Sequence, residues 1–61
     1  MTPAELTQAR MALALSQRGL ARVLGVSTGA VSLWEAGKRP VPPFLHLAMA
    51  WLANRPPDNH K

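Results

Sequence analysis

The ionisable side chains of this 61-residue chain favour binding over catalysis. Three acidic residues, two histidines and no cysteine leave no nucleophile paired with a base and no ligand set suited to a metal ion. Seven Lys and Arg residues outnumber the acids and give a formal charge of +4. That balance favours a polyanionic partner, with nucleic acid ahead of an anionic membrane. We therefore expect no enzymatic activity, no metal and no cofactor.

Helix-capping residues divide the chain into segments. Thr2, Pro3 and Glu5 form a capping box, because a Thr N-cap is followed three residues later by Glu. Two serines precede the next apolar repeats, and each of these repeats ends at a glycine. A proline-rich stretch then interrupts the helical pattern before a last apolar segment. The pattern predicts an all-α fold with helices over about residues 3–13, 17–24, 28–36 and 43–53.

Length and composition limit the number of domains and the cellular location that we expect for the protein. A chain this short has room for one domain, which we assign to residues 1–53. Residues 54–61 lack an apolar anchor, and we expect a flexible C-terminal tail. The most apolar stretch, 41–53, covers about 13 residues and is short of the roughly 20 that a bilayer crossing needs. No signal-peptide pattern opens the sequence, so the expected location is the cytoplasm, without membrane contact.

The second and third predicted helices form the outline of a helix-turn-helix, since only a short turn at Gly25 separates them. Val31 and Trp34, three residues apart, are expected to hold the third helix against the core. This helix would then lie in the major groove of DNA with its outward face toward the bases. The outward face comprises Thr28, Gly29, Ser32 and Leu33.

Residues 16–40 read SQRGLARVLGVSTGAVSLWEAGKRP and closely resemble the Cro and phage-repressor (XRE-type) family, in which S-Q-x-x-L-A-x-x-L-G-V-S is followed by W-E-x-G. The resemblance implies a compact four-helix, lambda-repressor-like helix-turn-helix domain that binds specific double-stranded DNA, usually as a dimer. It also makes this a candidate for a small regulator from a phage or mobile element, such as an anti-CRISPR-associated repressor. An antitoxin that regulates its own operon is an open alternative.

The resemblance also implies individual roles. Gln17 and Ser27 would hold phosphates, while Lys38 and Arg39 would touch the DNA backbone beyond the third helix. The four outward residues of that helix would face the bases. Arg10 and Glu35 occupy the positions of a structural ion pair between helices. The sequence adds Arg18 as a backbone contact, because it lies on the outer side of the second helix. Each of two residues has a plainer alternative role: Ser27 is also a helix cap, and the alternative for Gln17 is a solvated helix residue.

Three departures from the family pattern matter. Ala14 stands where a helix-ending glycine is common, so the exit from the first helix is expected to be strained or to use another turn. Gly19 and Gly29 lie inside helices, where glycine is unfavourable. The outward positions of the third helix carry no Arg, Lys, Asn or Gln for bidentate base contacts. We therefore expect specificity from thymine-methyl contacts, single hydroxyl bonds, close approach at Gly29, and DNA shape.

The fourth predicted helix carries more apolar surface than one face of a small core can cover. We expect Phe44, Leu47 and Trp51 to form a homodimer interface, with Trp51 as its anchor. A dimer would present two recognition helices to an inverted repeat and act as a repressor without a small-molecule ligand. The alternative is a protein-interaction module, of antitoxin or adaptor type, whose fourth helix docks a different partner.

Overall fold

The computed structural model describes residues 1–54, and within that range the chain forms four α-helices and no strand. The predicted all-α class is confirmed, and each predicted helix lies within one residue of its observed bounds. The helices are α1 (Pro3–Ala12), α2 (Gln17–Leu24), α3 (Thr28–Glu35) and α4 (Phe44–Asn54).

The end of α4 differs from the sequence prediction. Asn54, which was assigned to the tail, is the last residue of α4, and its Nδ2 donates to the Ala50 carbonyl at 2.8 Å. The helix also begins at Phe44 instead of Pro43. The rest of the predicted flexible tail, residues 55–61, lies outside the described residues.

The first helix begins and ends as its sequence dictates. Thr2 Oγ1 accepts from the Glu5 amide at 3.1 Å, and Glu5 Oε1 accepts from the Thr2 amide at 2.8 Å, which completes the predicted capping box. At the other end, Ala14 adopts φ +58°, a left-handed conformation that L residues rarely adopt. The chain thus keeps the turn that a glycine would normally make, and Ala14 carries the strain.

A short turn joins α2 to α3. Ser16 Oγ caps α2 by accepting from the Gly19 amide at 2.9 Å. Gly25 ends the helix at φ +76°, and the Val26 amide returns to the Ala21 carbonyl at 3.0 Å. Ser27 follows directly as the N-cap of α3. Each of these bonds fixes one end of a helix. The turn therefore determines the direction of α3 relative to α2.

The core draws side chains from all four helices. Its seven buried members are Leu6, Leu20, Ala21, Val31, Trp34, Leu45 and Met49. Trp34 is only 5% exposed. Ala21 lets α2 and α3 approach closely because it has only a methyl side chain. The core thereby holds α3 by one side and leaves its other side to solvent.

Candidate nucleic-acid interface

The outer side of α3 presents small polar groups. Thr28, Gly29 and Ser32 are exposed, while Leu33 is half-buried. Val31 on the opposite side is fully buried. The residues predicted to face bases therefore share one accessible face, with Leu33 the least accessible of the four.

The N-terminus of α3 carries several hydrogen-bond donors that are not used within the helix. Ser27 Oγ accepts from the Ala30 amide at 3.1 Å, and its hydroxyl proton can still be donated to another acceptor. The amides of Thr28 and Gly29 belong to the first turn, where intrahelical acceptors are lacking. The positive end of the helix dipole adds to their attraction for a phosphate. Capping and phosphate binding are thus compatible roles for Ser27.

Gly29 has no steric reason within the protein to be glycine. A Cβ added there would have Ser27 Oγ as its nearest neighbour, at 4.0 Å. Its backbone is helical, so no left-handed conformation requires it either. Gly29 is the second residue of α3, and a glycine within a helix costs up to about 1 kcal/mol relative to alanine. Close approach of a ligand to this part of α3 would account for the choice.

Basic side chains flank this face. Arg18 is exposed in the first turn of α2, and Lys38 and Arg39 are exposed just after α3. The chain turns there because Gly37 adopts φ +75° and the Lys38 amide bonds to the Leu33 carbonyl at 3.0 Å. Within residues 1–54, none of these three cations forms an ion pair. All three therefore keep their charge available to a polyanion.

The side chains of Arg10 and Glu35 tie α1 to the end of α3. Arg10 Nε donates to Glu35 Oε2 at 2.7 Å, and Arg10 Nη2 donates to Oε1 at 3.2 Å. Arg10 Nη1 also donates to the Leu15 carbonyl at 2.8 Å, next to the strained turn at Ala14. The two side chains are 15% and 7% exposed. This bidentate, largely buried pair fixes α3 against the turn that precedes α2.

Glu35 stays ionised through these contacts. Burial raises its pKa, but hydrogen bonds from Arg10, Gln17 and Thr7 and the Arg10 charge lower it, so the pKa lies below its ordinary value. A carboxylate held in this way cannot serve as a proton donor near neutral pH. Its role in the fold is to accept hydrogen bonds from neighbouring helices.

Gln17, a predicted phosphate contact, is half-buried, and its Nε2 donates to Glu35 Oε1 at 3.1 Å. The sequence alone did not indicate this bond, because 18 residues separate the two side chains. An amide nitrogen carries two protons, so one remains for a second acceptor. Glu35 thereby orients the amide at the N-terminus of α2.

An apolar surface lies along α4. Phe44, Leu47 and Trp51, the predicted dimer contacts, are 51%, 71% and 63% exposed. Beside them, a groove of about 310 Å³ runs between α2 and α4. The residues that line it all have apolar side chains: Val23, Leu24, Phe44, Ala48, Trp51 and Leu52.

Val23 is the residue of this surface that sequence analysis missed. It is 50% exposed and forms part of the groove on the α2 side. No signal in the sequence indicated this, because Val23 follows Leu20 by three residues and precedes Leu24, a spacing that is equally typical of a core-facing residue. The packed structure places Val23 beside Phe44 and Trp51 in the lining of the groove, so the exposed apolar surface includes part of α2.

Two short capped helices joined at Gly25, with α1 and α4 completing the core, define the class as a helix-turn-helix domain. A family model described as "Helix-turn-helix domain" matches residues 4–60, and the chain belongs to this family. The match is consistent with the XRE-type resemblance. No curated protein and no solved structure shows significant similarity to the chain.

Membrane-spanning and metal-binding features are both absent from residues 1–54. No helix in that range is long and apolar enough to cross a membrane. In the same part of the chain, no three side chains of the His, Cys, Asp or Glu type come together where they could hold a metal ion. Helix-turn-helix families are typically non-enzymatic, and family membership suggests that DNA is the partner of this chain.

Proposed function

We propose that the protein is a sequence-specific, double-stranded DNA-binding transcriptional regulator that acts as a dimeric repressor on an inverted-repeat operator. In this proposal α3 enters the major groove. Because the partner is DNA, the protein is located in the cytoplasm. The observation that carries this proposal is the exposed outer face of α3. Ser27 caps this helix, and the neighbouring cations form no ion pair within residues 1–54.

The proposed contacts divide by chemistry. Ser27, Gln17 and the cations Arg18, Lys38 and Arg39 meet phosphates, which position the protein. Thr28 and Ser32 offer hydroxyls to base edges, and Leu33 offers an apolar contact to a thymine methyl. Gly29 lets DNA approach the helix backbone. Blocking access to a promoter needs no enzymatic step, cofactor or small-molecule ligand.

A second candidate function follows from α4. Its exposed Phe44, Leu47 and Trp51 would suit an interaction module that docks another protein through α4 and binds DNA secondarily. DNA selectivity separates the two functions. A repressor discriminates strongly between sequences, whereas an interaction module with only a basic surface binds all duplexes similarly.

Selection of bound duplexes from a randomised pool by the purified protein tests the proposal. We expect an enriched inverted repeat whose half-sites lie about one DNA turn apart. Failure of a folded protein to enrich any sequence would contradict the proposal and favour the interaction module.

Gly29→Glu provides a matched negative control for this selection. The side chain has open space, so the variant should fold, yet its carboxylate faces the phosphates and should abolish enrichment. Gln8→Glu makes the same charge increment at an exposed position on α1 and should enrich the same repeat as the unmodified protein. If Gly29→Glu enriches the same repeat as Gln8→Glu, the DNA does not contact α3.

A further inference from the structure

The groove between α2 and α4 is an unfilled apolar surface with one wall on each helix. Val23 and Leu24 form the α2 wall, and Phe44, Ala48 and Trp51 belong to the α4 side. Val23 is half exposed although valine is apolar, and Trp51 is 63% exposed at the other side of the groove. The surface therefore combines a recess with projecting side chains on the same patch, as a self-complementary contact requires.

The charge pattern favours a second copy of this chain as the occupant. α4 contains no Lys, Arg, Asp or Glu from Phe44 to Asn54. Two molecules with a formal charge of +4 can thus meet along α4 without opposing charged side chains. The same lack of charge offers nothing to DNA phosphates or to an acidic peptide.

Residues 55–61 are poorly suited to fill the groove from within the same chain. Their sequence, RPPDNHK, includes no Leu, Ile, Val, Phe, Met or Trp. An apolar recess gains most from large apolar side chains, which this segment does not supply.

The available area sets the strength of such a contact. A fully buried aromatic side chain removes roughly 150–250 Å² from water. Two aromatic and two aliphatic side chains that are each exposed by half or somewhat more therefore offer on the order of 400 Å² per protomer. These groups are Val23, Phe44, Leu47 and Trp51. A stable interface buries about 800 Å² per partner. The contact suits a weak dimer that DNA binding reinforces.

We propose that a second copy of this chain docks in the α2–α4 groove and that Val23 is part of the contact. This inference rests on the proposed function, because it specifies which surface forms the operator-bound dimer. α2 then has a different task at each end. Gln17 and Arg18 begin the helix at the DNA side, and Val23 and Leu24 end it at the partner. Docking in the groove therefore fixes the separation of the two recognition helices.

The test compares Val23→Lys with Met11→Lys. Both positions are exposed apolar residues, at 50% and 65%, but Met11 lies on α1 and outside the groove. Sedimentation over a micromolar concentration series measures dimerisation, and titrations measure affinity for the full inverted repeat and for a single half-site. Thermal melts verify that both variants fold.

We expect Val23→Lys to weaken dimerisation and full-repeat binding by about tenfold or more, which is 1.4 kcal/mol or more. Half-site binding should not fall, since the base-facing and phosphate-binding groups are retained. Met11→Lys should leave dimerisation and the preference for the full repeat unchanged.

Leu47→Lys separates the inference from the proposed function. If Leu47→Lys abolishes the dimer while Val23→Lys leaves it intact, the contact involves α4 alone and the inference is overturned, but the repressor proposal stands. A protein that remains monomeric both free and on the full repeat also overturns the inference. Absence of sequence preference in the unmodified protein overturns the proposed function itself, whatever the sedimentation data show.

Discussion

Ala14 shows how one residue can retain a conformation against its own preference. Its φ of +58° closes the turn after α1, and the neighbouring Leu15 carbonyl is held by Arg10. A left-handed conformation costs an L residue roughly 1–2 kcal/mol, and contacts around the turn offset this cost.

Ala14→Gly should therefore stabilise the domain. Relief of strain outweighs the extra entropy of glycine in the unfolded chain, and we expect a gain of about 0.5–1 kcal/mol, or several degrees in Tm. Thermal unfolding measures it. Ala12→Gly is the matched control, because Ala12 is helical and exposed, so the variant should lose about 1 kcal/mol. A lower Tm for Ala14→Gly would show that the turn is unstrained.

Gly29 should separate stability from binding. Alanine fits the open space and favours the helix by about 0.5–1 kcal/mol, so Gly29→Ala should raise Tm. If DNA approaches the backbone here, the added methyl should weaken operator binding by about tenfold, or 1.4 kcal/mol. Melting and operator titration of the same preparation measure the two effects. Raised stability with unchanged affinity would remove Gly29 from the contact surface.

At the scale of elements, the Arg10–Glu35 pair orients α3. Its bonds connect α1, the turn at Leu15, and Gln17 at the start of α2. Removing one partner of this part-buried pair leaves the other side chain without its charged hydrogen-bond partner, which typically costs about 1–3 kcal/mol. The position of the recognition helix thus depends on an ionised carboxylate.

The pH dependence of stability should report this carboxylate. Because the folded-state pKa of Glu35 is lowered, its contribution is present above the unfolded pKa, near 4.5, and is lost as pH falls through the folded value. At pH 7, Glu35→Gln should be less stable than the unmodified protein by about 1–3 kcal/mol, and this difference should shrink toward pH 3. Melts in the Ala14→Gly background measure this, with Gln8→Ala, an exposed change that alters no ionisable group, as control. A difference that does not vary with pH would contradict the account.

The cations after α3 should set the salt dependence of DNA binding. A dimer with six to eight phosphate contacts should give a log–log slope of roughly −5 to −7, and losing Arg39 from both subunits should flatten it by one to two units. Titrations at several salt concentrations measure the slopes. Arg22→Ala, an exposed cation outside the proposed contacts, should leave the slope unchanged. An equal change in both variants would show that the basic surface binds without a defined register.

The elements of this fold were predictable because their signals are local. Thr2, Ser16 and Ser27 cap helices by bonds that span three residues, and Gly25 ends α2 by its own conformation. The Gln17–Glu35 bond and the exposure of Val23 depend on how distant helices pack, which no local pattern encodes. The Ala14 turn was anticipated only as a departure, since the sequence left open whether strain or another turn would result.

At the scale of the whole molecule, charge and apolar surface occupy different regions. The exposed cations Lys38 and Arg39 directly follow α3, and Arg18 lies in the first turn of α2, whereas α4 carries no Lys, Arg, Asp or Glu. This division suits a protein that binds a polyanion through one surface and another copy of itself through the other. Its small apolar patch predicts a dimer that forms more readily on the operator than in solution.

The most direct measurement is an amide NMR titration of the protein with the duplex enriched in the selection, compared with a scrambled duplex. We expect the enriched duplex to shift or broaden the amides of residues 27–33 and 37–39 most strongly, and the scrambled duplex to affect the basic segments alone. Changes confined to α4, or identical changes with both duplexes, would contradict sequence-specific DNA binding through α3.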